Sequence, residues 1–279
     1  MTGTGGAMRI GVVAPSSRIK AETAERVSAL AGAEFPNAEL VFHPQCFLSH
    51  NHFAGPDPAR ADALVEFAND PSLDAIWFAR GGYGSCRIAE GTIARLDEVA
   101  RRKAWLGYSD AGYLLAGLYR AGFPELAHGP MPQDILRDGG EAAVRRALAW
   151  LTRRDATALE GGLEKGRPAA ALNLTVLGLL LGTPLEPDLA DHVLLIEDVS
   201  EHMYATDRAM FHLTASANVR ALAGIRLGRL GDIPPNDPDF GEDGEAVVRY
   251  WCKRAGIPFL GLADIGHDSD NKVVPFGRV

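Results

Sequence analysis

The chain has 279 residues, of which 47% are hydrophobic and 23% are charged, and its formal net charge is −8. This length allows one large domain or two small ones, and the composition is ordinary for a soluble globular protein. The negative charge and the absence of a Lys/Arg run argue against binding nucleic acid over a broad surface, because phosphate contacts need clustered cations.

The cysteines and the apolar segments indicate the cellular compartment of the protein. Cys46, Cys86 and Cys252 are far apart and form no C-x-x-C pair, so we expect neither a disulfide scaffold nor a structural zinc site. The N-terminus shows no signal-length apolar segment, and the longest apolar stretch, LTVLGLLLGTP, is too short to span a bilayer. The sequence predicts a cytoplasmic protein with no membrane partner.

Strand-like and helix-like segments alternate through the first half of the chain. Strands are predicted for MRIGVVAP, AELVFH, LDAIWFA and AWLGYS, and helices for 21–34, 57–70, 92–103, a segment from Asp110, and 141–153. In the second helix, Asp57 is expected to be the N-cap and Pro58 the first helical residue. This order implies a parallel sheet covered by helices on both faces, with ligands bound at the carboxyl ends of its strands.

A polar, glycine-rich segment divides the chain into two halves. We predict an N-terminal parallel α/β domain over 7–154, a linker over 155–167, and a smaller mixed α/β domain over 168–279. In the second half, strands are expected at HVLLIEDV, LAGIRLG, IPFLGL and KVVPFG, and helices after Asn173 and over 204–217 and 245–255.

Ser109 lies between the apolar run AWLGY and the start of a helix. A serine in that position is typical of a helix N-cap, since its side-chain oxygen accepts from otherwise unpaired N–H groups. The alternative is a nucleophile presented at the end of a strand. The local pattern favours the cap.

Three other segments could provide chemistry. Gly81, Gly82 and Gly84 follow a strand and either expose N–H groups to an anion or oxyanion or form only a tight turn. Glu197 lies in an apolar strand-like run, where a carboxylate is either exposed at an edge or buried with a partner, and the local sequence favours the edge. His267 lies in a polar loop, where histidines are mostly surface residues but are sometimes catalytic.

Two further candidates are isolated. His50 and His52 form an H-x-H pair without a nearby third ligand, which is more typical of a solvated loop than of a metal site. Cys86 follows the glycine-rich loop and could be a nucleophile, but a cysteine in such a place is more often inert packing.

Taken together, the motifs of this chain resemble the LD-carboxypeptidase family of serine peptidases, which includes the microcin C immunity peptidases. The matching runs occur in order over nearly the whole chain: IGVVAPSS, FAGPDPARADAL, DAIWFARGGYGS, WLGYSD, HGPM, LNLTVLGLLLGTP, LLIEDVSEHMYATDRAMFHL and GHDSDNKVVPFG. The resemblance implies a Ser-His-Glu triad, whose members fall on Ser109, His267 and Glu197.

The implied roles follow the general logic of such triads. His267 would accept the proton of the Ser109 hydroxyl and return it to the leaving amine, and Glu197 would fix the imidazole tautomer. Backbone N–H groups of Gly82 and Asp110 would stabilise the oxyanion.

Other residues of the site are expected to contact the substrate. We expect Arg80, Tyr83 and Asn173 to bind substrate, in a cleft between the domains. The resemblance also implies a homodimer, and no metal or other cofactor is expected.

Some positions depart from the family pattern. Where the family usually has two glycines before Asn-Leu, this chain has Ala171 and Leu172, and Ala111-Gly112 replaces the usual Ile-Thr or Val-Thr after Gly-Tyr-Ser-Asp. We expect the larger side chains of Ala171 and Leu172 to narrow or reshape the cleft.

The resulting hypothesis is a cytoplasmic carboxypeptidase that releases terminal D-alanine from a murein tetrapeptide, as in cell-wall recycling. One alternative is an immunity peptidase that cleaves an acyl-adenylate-like toxic peptide. A second is a non-catalytic α/β protein that holds an anionic ligand with its GGYGS loop.

Overall fold

The first half of the chain alternates strands and helices, as the sequence pattern predicts. The structure is a computed structural model that describes residues 7–278. Its first half contains β1 (Met8–Val13), α1 (Ala21–Glu34), β2 (Ala38–Phe42), α2 (Asp57–Asn69), β3 (Ala75–Phe78), α3 (Ala89–Ile93), α4 (Glu98–Arg101), β4 (Ala104–Gly107), α5 (Gly112–Arg120), β5 (Leu126–His128) and α6 (Gly140–Arg153).

The second half is built in a similar way. It contains β6 (Pro168–Asn173), α7 (Leu174–Leu180), β7 (Val193–Val199), α8 (Met203–Ala215), α9 (Ala217–Arg220), β8 (Gly224–Gly231), α10 (Gly244–Ala255), β9 (Phe259–Leu262), β10 (Val274–Pro275) and β11 (Gly277–Arg278). None of the helices in residues 7–278 has the length and apolarity that crossing a bilayer requires.

The first sheet has six strands in the order β10-β5-β4-β3-β1-β2. Its strands are parallel except β10, which runs antiparallel to β5. The strand order reverses at β1, which lies between β2 and β3, and the loops after β1 and β3 therefore open a crevice at the carboxyl ends of the strands. The glycine-rich loop follows β3, so it lies at the point where such sheets bind ligands.

Helices cover both faces of this sheet. Ile76 and Phe78 of β3 belong to one hydrophobic core with residues of α2 and α5, whereas Trp77 belongs to a second core with residues of α1 and α6. The first of these cores continues into the second half of the chain through Leu177 and Ile196. The two halves therefore pack directly against each other, and the predicted fold class is confirmed.

The second sheet has five strands in the order β11-β6-β7-β8-β9. The strands from β6 to β9 are parallel, and β11 pairs antiparallel with β6. The end of the chain thus joins the two sheets, because Val274 pairs with His128 of β5 and Gly277 pairs with Ala169 of β6. The domain limits at 154 and 168 stay a prediction.

The structure corrects several predicted elements. β5 and β6 were not expected, and the predicted helix over 92–103 is interrupted, since Asp97 accepts from the first N–H groups of α4 and starts a new helix there. α2 begins at Asp57 itself, with Pro56 at the N-cap position. The Asp57 carboxylate instead pairs with the guanidinium groups of Arg60 and Arg87.

Candidate active site

The turn after β4 places Ser109 at the carboxyl end of the first sheet. Its φ of 59° lies in the left-handed region, which side chains other than glycine seldom adopt because Cβ then crowds the backbone carbonyl. Ser109 opens a short 3-10 helix that leads into α5, but the N-cap positions of these two helices are Tyr108 and Ala111, and neither has a side-chain cap. The helix-cap interpretation is therefore wrong, and Ser109 occupies a strained strand-to-helix turn.

Asp110 fixes this turn to the loops that follow β1 and β3. Its buried carboxylate accepts hydrogen bonds from the hydroxyl of Ser16 and, at 2.9 Å, from the backbone N–H of Ser85. The Ser85 hydroxyl in turn donates to the backbone carbonyl of Asp110. The sequence pointed only to the backbone N–H of Asp110, and the anchoring role of its side chain was missed.

The backbone of the glycine-rich loop lies so close to Ser109 that a side chain at Gly81 would clash with it. A Cβ added at Gly81 would lie 2.9 Å from both Cβ and Oγ of Ser109. Gly82 has a φ of 106°, a conformation that favours glycine. Gly82 and Ser109 line the same cleft, and the N–H of Asp110 belongs to the first turn of a helix, where such groups lack partners within the helix. This arrangement is suited to an oxyanion.

We expect Gly82→Ala to weaken both the fold and catalysis. The new methyl group would lie 2.5 Å from Oγ of Ser17, with the backbone held at a φ of 106°, which costs about 1–3 kcal/mol. Urea unfolding should show a loss of that order in the free energy of unfolding. If the N–H of Gly82 is the oxyanion donor that the resemblance implies, kcat should also fall roughly 10²-fold.

Gly91→Ala is the matched control for this substitution. A Cβ added at Gly91, in α3, meets no atom within 4 Å, so its kinetics and stability should stay close to those of the wild type. Equal losses in the two variants would contradict a special role for Gly82.

The buried Glu197 and the partly buried His267 form a hydrogen-bonded pair at the end of the second sheet. Glu197 is 0% exposed on β7, next to Asn173 of β6. Its Oε2 accepts a hydrogen bond of 2.5 Å from Nδ1 of His267. The local expectation of an exposed carboxylate is wrong, since the charge is buried with a partner. Donation from Nδ1–H sets the imidazole tautomer and leaves Nε2 as a proton acceptor.

The pKa of His267 results from two opposing effects. Burial disfavours the imidazolium and lowers the pKa, but the charge and the hydrogen bond of Glu197 favour the imidazolium, and the net pKa is raised. A general base must be unprotonated, so activity that depends on His267 is lost as the pH falls through this raised pKa.

We therefore expect the acidic limb of the kcat/KM profile to lie above pH 6.5, the usual pKa of a histidine. Glu197→Gln removes the charge that raises the pKa, so the limb should move to lower pH while the maximum falls. A pH–rate profile of the wild type and this variant tests both effects. If the acidic limb of the variant lies at the same pH as that of the wild type, the charge of Glu197 does not raise the pKa of His267.

The first half of the chain holds the loop that contains His267. Oδ1 of Asn271 accepts from the backbone N–H of Gly266 at 3.2 Å and lies 3.1 Å from Nε2 of the buried His128. The guanidinium of Arg146, in α6, donates to the carbonyl oxygen of Asn271 at 2.8 Å. His267 is therefore positioned by residues of both halves.

A cleft of about 470 Å³ brings four of the eight predicted site residues together. Its wall includes Arg80, Gly82, Ser109 and His267. The loop residue Tyr83 is outside that wall and is 49% exposed, with its ring near those of His52 and Phe53.

Asn173 is also outside the cleft wall. Its side chain is 6% exposed, its Oδ1 accepts from the N–H of Val176 and caps α7, and its Nδ2 donates to Asp198 at 2.7 Å. Both polar ends of Asn173 are thus used within the protein, where they support the strand ends beside Glu197.

The isolated candidates gain no support from the structure. Among residues 7–278, no group of three or more His, Cys, Asp or Glu side chains is arranged to hold a metal ion. Burial, with the nearby charge of Asp110, raises the pKa of the Cys86 thiol, which is opposite to the shift of an activated nucleophile.

A chain of three polar side chains in the cleft wall was missed. The hydroxyl of Tyr108 donates to Oδ1 of Asp134 at 2.8 Å, and Nε of Arg137 donates to the same oxygen at 2.9 Å. The ring of Tyr108 packs against that of His267, with centroids 4.8 Å apart. A sequence signal was available, because Asp134 and Arg137 come shortly after HGPM, one of the runs that carry the family resemblance.

Two of the positions that depart from the family pattern, Leu172 and Gly112, lie next to each other in the structure. Ala171 and Leu172 are each 1% exposed and belong to the core, so the expectation that they narrow the cleft is wrong. Cδ2 of Leu172 lies 3.1 Å from the position that a Cβ would take at Gly112. The larger side chain on β6 therefore fills space that the missing side chain of Gly112 leaves free.

Known carboxypeptidases are similar to this chain over nearly its whole length. The murein tetrapeptide carboxypeptidase of Pseudomonas aeruginosa is 27% identical over 287 residues, covering 97% of this chain and 91% of its own. A Synechocystis relative named as a carboxypeptidase is 32% identical over 276 residues, covering 96% of this chain and 89% of its own.

Solved structures share the fold. The muramoyltetrapeptide carboxypeptidase of Oxalobacter formigenes has a TM-score of 0.79 at 23% identity, covering 97% of this chain and 93% of that one. The microcin C7 self immunity protein MccF has a TM-score of 0.78 at 19% identity, covering 98% of this chain and 92% of that one.

The family models match both halves of the chain. The LD-carboxypeptidase N-terminal domain matches residues 10–129, and the LD-carboxypeptidase C-terminal domain matches residues 169–279. Because these matches cover most of the sequence, the chain belongs to the LD-carboxypeptidase family of serine peptidases.

Proposed function

We propose that this protein releases terminal D-alanine from murein tetrapeptides by hydrolysing the preceding L,D-peptide bond, with Ser109, His267 and Glu197 as its catalytic triad. The main support is that His267, hydrogen-bonded to the buried carboxylate of Glu197 at 2.5 Å, lines the same cleft as Ser109. The names of the relatives from P. aeruginosa and O. formigenes supply the substrate class.

The mechanism follows from these positions. Oγ of Ser109 attacks the carbonyl carbon of the L-configured centre while Nε2 of His267 takes the hydroxyl proton. The N–H groups of Gly82 and Asp110 stabilise the oxyanion. The imidazolium then protonates the nitrogen of D-alanine, which leaves, and a water activated by His267 hydrolyses the acyl-enzyme. Glu197 orients the imidazole and stabilises the imidazolium through the hydrogen bond to Nδ1.

The test is incubation of the purified protein with L-Ala-γ-D-Glu-meso-diaminopimelate-D-Ala, followed by mass detection of free D-alanine. An all-L tetrapeptide controls for stereochemistry. Release from the all-L peptide at an equal rate, or no release from the L,D substrate, would contradict the proposal. An EDTA arm controls for metal, since loss of activity that zinc restores would direct attention to His50 and His52.

An aminoacyl sulfamoyl adenylate in the same assay tests the immunity-peptidase alternative. The structural neighbours include MccF in complex with aspartyl sulfamoyl adenosine, at 19% identity, a level that supports only a shared fold. Cleavage of this compound in preference to the tetrapeptide would favour the alternative. The non-catalytic alternative requires that Ser109→Ala keep full biological activity.

We further propose, from the family resemblance, that the protein is a cytoplasmic homodimer acting in peptidoglycan recycling. Sedimentation velocity on the purified protein tests the dimer, and cell fractionation tests the location. Accumulation of tetrapeptide in a deletion strain tests the role in recycling.

A further inference from the structure

The cleft wall is cationic although the chain as a whole is acidic. The formal net charge of the protein is −8, yet the cleft is lined by the two guanidinium groups of Arg80 and Arg137 against the single carboxylate of Asp134. That carboxylate already accepts hydrogen bonds from Tyr108 and Arg137. The uncompensated charge in the cleft therefore favours an anionic group on the ligand.

Arg137 is held in place on the side of the cleft that contains the imidazole of His267. Its Nε donates to Asp134 at 2.9 Å, and Asp134 is fixed by the Tyr108 hydroxyl at 2.8 Å and by the backbone N–H of Met131 at 2.8 Å. The Tyr108 ring in turn packs on His267. The bond to Asp134 uses Nε, and the guanidinium also interacts with the Tyr108 side chain. This arrangement still leaves N–H groups of the two Nη nitrogens for a ligand. Such a preorganised guanidinium loses little entropy when it binds.

Arg80 is placed in the cleft wall by the glycine-rich loop. It directly precedes Gly81 and Gly82, the loop that we assign to the oxyanion, so its backbone lies next to the carbonyl group of the scissile bond. The leaving group has the opposite position, because its nitrogen must receive a proton from His267. In D-alanine the carboxylate is attached to the carbon next to that nitrogen, so it also lies on the imidazole side.

We infer that Arg137 binds the α-carboxylate of the terminal D-residue and thereby restricts the enzyme to free C-termini. The inference rests on the proposed function and adds the residue that recognises the chain end. A guanidinium and a carboxylate form charge-assisted hydrogen bonds that an amide group cannot replace. Asp134 and Tyr108 act as positioning residues for Arg137.

The experiment compares the tetrapeptide ending in D-alanine with the same peptide ending in D-alaninamide. The wild type should prefer the free acid by about 10- to 100-fold in kcat/KM, as expected for hydrogen bonds to a charged group. Arg137→Gln should bring this ratio close to one, mainly by raising KM for the acid. Arg80→Gln should lower kcat/KM for both substrates and keep the ratio.

Arg26→Gln is the matched control. The Arg26 guanidinium donates to the carbonyl oxygen of Ile135 at 3.1 Å, in the same 3-10 helix that contains Asp134, but Arg26 does not line the cleft. Its acid-to-amide ratio should equal that of the wild type. If Arg137→Gln does not fold, Arg137→Lys replaces it and should reduce the ratio several-fold, since lysine lacks the planar fork.

The outcomes separate this inference from the proposed function. A wild type that releases no D-alanine from the free acid contradicts the proposed function itself. A wild type that cleaves acid and amide equally, or a wild-type ratio in the folded Arg137 variant, leaves the function standing and overturns the role of Arg137.

Discussion

Ser109→Ala is expected to abolish turnover while leaving thermal stability nearly unchanged. Loss of the nucleophile should lower kcat by about four orders of magnitude or more. Alanine keeps the Cβ that serine already has at a φ of 59°, and the serine side chain caps no helix, so the substitution removes no stabilising contact of that kind. The melting temperature should stay within about 2 °C of the wild type. D-alanine release and calorimetry on the same protein test this.

Ser109→Gly sharpens the test. Glycine removes the Cβ that makes a φ of 59° costly, so this variant should be as inactive as Ser109→Ala but more stable by about 1 kcal/mol, or roughly 2–4 °C in melting temperature. A variant that loses stability and keeps turnover would identify Ser109 as a structural residue. The strained turn would then need another explanation.

His267→Ala and Glu197→Gln are expected to cause the next largest losses. His267→Ala removes the general base and should lower kcat by about four orders of magnitude, as Ser109→Ala does. Glu197→Gln keeps the shape but removes the charge that stabilises the imidazolium, and should cost roughly 10²- to 10⁴-fold. In the Ser-His-Asp template the corresponding loss is about 10⁴-fold.

The double variant Ser109→Ala/Glu197→Gln tests whether the residues act as one unit. Its residual rate should equal that of Ser109→Ala alone, because the members of a triad contribute non-additively. If instead the fold-losses in kcat of the two single variants multiply in the double variant, Glu197 acts independently of Ser109. Glu201→Gln is the matched control, since this neighbouring carboxylate lies outside the cleft wall and its loss should leave kcat unchanged.

The fold was predictable where apolar runs are long or rich in β-branched residues. β1 and β7 were found from MRIGVV and VLLIEDV, and α1 matched its predicted range, 21–34. β6 was missed because half of PAAALN is alanine, which has little preference for strands. The pairing of this segment with β7 and β11 decides its structure. β5 has three residues, too few for a periodic pattern.

The site was predictable through family motifs and not through local pattern. Around Ser109 and Glu197 the local sequence favoured a helix cap and an exposed carboxylate, and both were wrong. The burial of Glu197 and its partner His267 depend on contacts between distant segments. Arg137 was missed for the same reason, since its place beside the imidazole arises through Asp134 and Tyr108.

The pairing of β10 with β5 and of β11 with β6 has a consequence for synthesis on the ribosome. Residues 274–278 are translated after every other strand of both sheets, and His267 is translated only shortly before them. A nascent chain that stops earlier can form the parallel strands from β1 to β5, but it leaves Glu197 without its imidazole partner and the edge of β5 unpaired. Such a chain would have no peptidase activity, and its open edge would be a site for aggregation.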